Sequence, residues 1–154
     1  MRRFGVLVAA CVLAVVGQVG VAQAPVQAFI PAPVLATGKT HHVVFGVTSN
    51  DEKDWELTLG NIRNLISGLK PDPVEVEVVA YAGGLSMVKV GSTAAVGIAA
   101  LEEKGVKFVA CQNAMRFQHV EAKDLLPGVG QVPAGIIEVV TRQEQGWAYI
   151  KGGR

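Results

Sequence analysis

Cysteine is scarce in this chain. Two occur in 154 residues, Cys11 and Cys111, and Cys11 falls within an apolar N-terminal leader. Once the leader is removed no internal disulfide can form. Cys111 is then either a buried, inert thiol or one kept for its reactivity. An excess of basic residues is also missing. The 14 Lys and Arg stand against 13 Asp and Glu, and Arg2 and Arg3 belong to the leader. A nucleic-acid partner, which needs a clustered basic face, is therefore not expected. No G-x-G-x-x-G occurs, which removes the dinucleotide fingerprint. Gly38-Lys39-Thr40 imitates the end of a phosphate-binding loop, but Pro33 stands where its first glycine belongs and a strand, not a helix, follows. His41 and His42 are adjacent, so on a strand they point to opposite faces and cannot share one metal there. No metal site and no cofactor are expected.

What is present begins with the leader. Met1-Arg2-Arg3 is a positive start, Phe4 to Val16 is apolar, and small residues follow in Ala22-Gln23-Ala24 and Val26-Gln27-Ala28. This is the layout of a secretory signal peptide over residues 1–24, with cleavage after Ala28 as the alternative. The competing reading is an uncleaved anchor. A spanning helix wants about 20 apolar residues, and the run reaches that only across the break at Gly17-Gln18. Export is the expectation, to the periplasm if the source is bacterial, with no membrane attachment after cleavage. Residues 25–40, rich in Pro, Ala and Val, read as a linker or arm.

Residues 41–154 read as one α/β domain. His41 to Ser49 is a strand apolar on both faces, hence central. Ser49-Asn50-Asp51-Glu52 has the pattern of a capping box, and Trp55, Leu59, Ile62, Ile66 and Leu69 line one face of the helix that follows. Val74 to Ala82 starts in alternation and ends apolar, as a strand entering a core does. Gly83-Gly84 breaks it at the carboxyl end, for a tight turn or for close approach by a ligand. Ser92 or Thr93 caps a helix running to Gly105. Lys107 to Cys111 is a strand that runs straight into the polar Gln112-Asn113. Val120 to Leu126 suggests a short helix, and Gln131 to Pro133 a brief extended piece. A helix then opens at Ala134-Gly135, and Trp147 to Ile150 is the last strand. This alternation predicts a mostly parallel sheet of about five strands covered by helices. In such sheets ligands collect beyond the carboxyl ends of the strands. Ser49, Asn50, Gly83, Gly84, Gln112 and Asn113 are therefore predicted to border a pocket there, with Cys111 at its edge.

Several stretches together resemble the DsrE/DsrF-like family, above all its small stand-alone members. They include Val109-Ala110-Cys111-Gln112-Asn113-Ala114-Met115, Asp124-Leu125-Leu126-Pro127-Gly128-Val129, Val132-Pro133-Ala134-Gly135 and Gln145-Gly146-Trp147-Ala148-Tyr149-Ile150. The resemblance implies a flavodoxin-like three-layer α/β sandwich and oligomeric assembly. With the many apolar and small residues, a homo-oligomer is expected, trimeric or a multiple of it. In sulfur-relay members of the family a cysteine after a strand carries a persulfide, and Cys111 matches that position. The resemblance also implies protein sulfur donors and acceptors. It departs after the cysteine loop, where members carry a glycine and a Ser/Thr cap and this chain has Gln118-His119-Val120.

Two functions follow as expectations. In the first, the chain is a sulfur carrier or sulfurtransferase with Cys111 as nucleophile. Gln112, Asn113, Arg116 and His119 then support it, the last two as a source of positive field that favours the thiolate. In the second, the chain is a non-catalytic oligomeric module that binds a small ligand or serves assembly, and Cys111 is inert.

Overall fold

The computed structural model of the protein describes residues 36–154. The expected signal peptide, with either cleavage point, lies outside the described residues. So does the arm up to residue 35. Residues 36–40 lack regular structure, and Thr37 donates to the buried Asp72 from its N–H (2.6 Å) and its hydroxyl (2.7 Å).

Five strands follow: β1 (His41–Val47), β2 (Val74–Ala80), β3 (Lys107–Cys111), β4 (Gly130–Val132) and β5 (Ala148–Gly152). They form one sheet in the order β4-β3-β2-β1-β5, with every neighbouring pair parallel. The helices α1 (Glu52–Gly68), α2 (Ala95–Glu102), α3 (Gln112–Phe117) and α4 (Gly135–Glu144) fall between strands. This is the expected α/β layout, flavodoxin-like, with the strand spans close to those read from the sequence. The interior position of β1, between the central β2 and the edge strand β5, follows from its residues, since a strand covered on both faces reads as a continuous apolar run.

The sheet's two faces are unequal. Alternate residues of β1 and β2, among them Phe45, Val47 and Val78, pack with Trp55, Leu59 and Ile62 of α1 and Ile98 and Leu101 of α2 in the large core. On the other face Val44 and Val79 meet Val139 of α4 in a much smaller one. Ile136, Ile137 and Val140 of that helix remain exposed.

Three local readings differ from the sequence expectation, the first being that α2 is capped at Ala94 without a side-chain cap rather than by Ser92 or Thr93. The cap of α1 is Asp51, whose carboxylate accepts the Lys53 N–H at 2.9 Å, while Ser49 Oγ accepts the Asp51 N–H at 3.1 Å. The chain thus turns through two successive side-chain caps rather than a reciprocal box. The expected helix over Val120–Leu126 is only a 3-10 turn over Ala122–Asp124, held by Glu121 and Asp124.

Glu77 on β2 is the charged residue that the alternation of Val74-Glu75-Val76-Glu77 places outward, yet it is 1% exposed beneath α4. Arg142 Nη2 donates to its Oε2 at 2.6 Å, and Arg142 Nε lies 2.9 Å from Glu138 Oε1. The guanidinium also sits over the Trp147 ring, 4.8 Å from its centroid. Burial pushes the Glu77 carboxyl above its ordinary range, outweighing the pull of Arg142 in the other direction.

Candidate functional site

The last residue of β3 is also the N-cap of α3. Cys111 has extended backbone, and its Sγ accepts the Ala114 N–H at 3.5 Å. The thiol is 5% exposed. It forms part of the wall of an open cavity of about 460 Å³ beyond the carboxyl ends of the strands.

Three segments complete that wall. Tyr81, Ala82 and Gly83 come from the turn after β2, Asn113, Phe117 and Gln118 from α3 and the residue after it, and Ala134, Gly135 and Ile136 from the start of α4. Ala82 holds φ +50, a left-handed conformation that costs a residue with a side chain about 1–2 kcal/mol. Its carbonyl accepts from Gln118 Nε2 at 2.7 Å, which ties this strained turn to the end of α3.

Glycine is required at three points for lack of room, the first being Gly83, whose Cβ would stand 2.8 Å from the Thr48 carbonyl oxygen. A Cβ on Gly84 would stand 2.0 Å from the Val47 carbonyl oxygen, so the turn lies directly on the end of β1. One on Gly135 would stand 2.7 Å from Tyr81 Cβ and 3.2 Å from Cys111 Cβ. Gly135 thereby lets the first turn of α4 reach the cavity. Ala134, its N-cap, offers no side-chain cap, so the leading N–H groups of α4 open on the cavity side without the usual hydroxyl or carboxylate partner.

The wall is mainly apolar. Among the described residues that line it, none is Lys, Arg, His, Asp or Glu. Burial, and to a lesser degree Tyr149 nearby, pushes the Tyr81 hydroxyl above its usual range and keeps it neutral. The polar side chains available are the amides of Asn113 and Gln118.

Of the residues singled out in the sequence, Cys111, Asn113 and Gly83 meet at this cavity. Gly84, which follows Gly83 in the chain, is buried and does not line it. Gln112 faces Gln131, with Nε2 3.4 Å from that residue's Oε1. Arg116 is exposed and donates to Asn113 Oδ1. His119 is exposed at φ +54 and does not line the cavity. Asn50 stands against Gly83, while Ser49 acts at the start of α1, where its carbonyl accepts from Trp55 Nε1 at 2.8 Å; neither lines the cavity. Sequence reasoning missed Tyr81, Phe117, Gln118, Gly135 and Ile136 as wall residues. The signal that would have found the last two is a helix opening on Ala-Gly, where a capping hydroxyl or carboxylate is the norm.

The DsrE/DsrF-like family profile matches residues 42–151. Among solved structures, the chain is similar to MTH1491, a protein of unknown function from Methanobacterium thermoautotrophicum. The two share 38% identity over 72% of this chain and 98% of that one, with a TM-score of 0.69. No curated protein matches the chain.

Proposed function

The chain belongs to the DsrE/DsrF-like family, and from that premise we propose that it is a sulfur-relay protein carrying sulfane sulfur as a persulfide on Cys111. The observation that carries this reading is the thiol's position on the wall of the cavity beyond the strand ends, within reach of solutes yet largely shielded from water. The Cys111 thiolate attacks the outer sulfur of a donor. The donor's S–S bond breaks, its electron pair departs with the leaving group, and a new Sγ–S bond forms. No external oxidant or reductant is needed. The uncapped amino end of α4, equivalent to about half a positive charge, borders the same cavity. The Asn113 and Gln118 amides can donate to the anion. In the same proposal the protein is exported and works as a homo-oligomer that exchanges sulfur with donor and acceptor proteins.

Incubation with a sulfur donor should add roughly 32 Da per transferred sulfur atom if a thiolate nucleophile is present. Intact-mass measurement reads this directly. Cys111→Ser should remain folded and gain nothing.

A second reading is favoured by one observation: the thiol is nearly buried and already caps α3. Here Cys111 is an inert core residue and the cavity holds a ligand without covalent chemistry. Alkylation at neutral pH separates the two. Rapid labelling of the native protein supports the carrier, and labelling only after denaturation supports the inert thiol.

A further inference from the structure

We propose that the Cys111 cavity selects a small sulfur donor with an apolar organic carrier, a hydropersulfide R–S–SH in which R is apolar, over donors whose carrier is charged. The inference rests on the persulfide-carrier reading and concerns what that site accepts. Its warrant is the wall. Among the described residues eleven line the cavity, and of these the titratable ones are Cys111 and Tyr81. Burial keeps Tyr81 neutral at physiological pH.

Neither cation that sequence proximity offered lines the wall, though Arg116 reaches a wall residue. Arg116 is exposed and engaged with Asn113 Oδ1, and His119 is exposed and outside the wall. The amino end of α4 supplies about half a positive charge. That suits the single negative charge which begins on Cys111 Sγ and ends on the leaving thiolate. It does not offset a dianion such as thiosulfate brought beside an existing thiolate, and burying unpaired charge is strongly unfavourable.

Apolar matter, by contrast, has partners. Phe117 and Ile136 stand at the cavity with 86% and 57% of their surface exposed, positioned to cover an aromatic or aliphatic R. A volume of about 460 Å³ falls within the range of small-molecule sites. In the reaction the Cys111 thiolate attacks the outer sulfur of R–S–SH and the donor's S–S bond breaks. RS⁻ leaves with the electron pair, and the proton stays on the transferred sulfur as Cys111–S–SH.

The test uses the whole protein with three donors: benzyl hydropersulfide, glutathione hydropersulfide and thiosulfate. Loading of Cys111 is followed by intact mass, each rate is divided by that donor's rate with free cysteine, and Cys111→Ser serves as blank. The normalised rate for benzyl hydropersulfide should exceed both others by at least about tenfold, which corresponds to only ~1.4 kcal/mol between the transition states. Ile136→Lys, at an exposed position that leaves the core intact, should narrow the ratio by raising the rates with glutathione hydropersulfide and thiosulfate. Equal or faster loading by either charged donor would overturn the selectivity and leave the carrier reading standing. Absence of a sulfur adduct with all three would overturn the carrier reading, and this inference with it.

Discussion

His119 carries a side chain in the left-handed region, at φ +54, where residues other than glycine pay about 1–2 kcal/mol in steric strain. It sits in the segment where the resemblance to relay proteins expects a glycine. Replacing it tests the residue's role. Glycine's extra chain entropy offsets about 0.5–1 kcal/mol of the relief. His119→Gly should therefore raise unfolding stability by about 0.5–1 kcal/mol, read from urea midpoints. Sulfur loading of Cys111 should not change, because the imidazole does not line the cavity; slower loading would give His119 a part in the chemistry. Gly84 behaves oppositely. Its Cβ would meet the Val47 carbonyl oxygen at 2.0 Å, a backbone atom that cannot rotate away. Gly84→Ala should cost about 3 kcal/mol, the upper end of overpacking.

At the level of elements, α4 is joined to the sheet by a small apolar contact and a buried ion pair. Val139 packs on Val44 and Val79, while Arg142 reaches Glu77 below it. Buried ion pairs are weak evidence for net stability, but removing one partner strands the other. Arg142→Met should therefore destabilise by about 2–3 kcal/mol. That is less than the ~3–5 of a fully enclosed pair, since the Arg142 side chain is 27% exposed. The pH dependence supplies a check. The Glu77 pKa is already raised above 4.5 by burial, so the folded state binds its proton more readily than the unfolded chain, and ionisation costs stability as pH rises through that range. Without Arg142 the rise is larger. The deficit of Arg142→Met should accordingly shrink as pH falls toward 5, measured by denaturant unfolding at several pH values; a deficit constant with pH would mean that lost packing, not stranded charge, is the cause.

For the molecule as a whole, acid stability depends on two carboxylates of the opposite kind. Asp54 is held at about 2 by hydrogen bonds from Ser49 and then from Arg154, and Asp72 at about 2 by those from Thr37. Both have a folded pKa below the ordinary 3.8. Their contribution is therefore complete above that value and is lost as pH falls through about 2. Unfolding midpoints should drop steeply between pH 4 and pH 2, and Asp72→Asn should flatten that limb while lowering stability at neutral pH. Association belongs to the same scale. Val96, Ile137, Val140 and Tyr149 are exposed large apolar residues outside the Cys111 wall, and such surface in quantity favours self-association. Light scattering at micromolar concentration is expected to give a homo-oligomer, trimeric or a multiple of it. A monomer that persists at that concentration would defeat the expectation.

The architecture was legible because periodicity is local. Continuous apolar runs at Val43–Val47 and Val76–Ala80, helical spacing from Trp55 to Ile62, and glycine or proline at the breaks specify which segments are strands and helices and that the strands run parallel. The strand order and the smaller second face were not legible, because they depend on which helix crosses to which side. Cys111 could be placed at a strand end from the apolar run that stops there. Its surroundings could not. Tyr81, Phe117 and Gly135 are brought to it from the turn after β2, the end of α3 and the start of α4. Arg116 and His119, nearest in sequence, do not line its cavity, although Arg116 donates to the wall residue Asn113. Glu77 and Arg142, 65 residues apart, likewise meet only in the folded chain. The sequence by itself thus determined the elements and the position of the thiol along the chain, since both follow from short-range patterns. The tertiary structure alone decided that the thiol's cavity is mainly apolar and that no cationic side chain lines it among the described residues, because a cavity wall is assembled from residues that no short-range pattern relates.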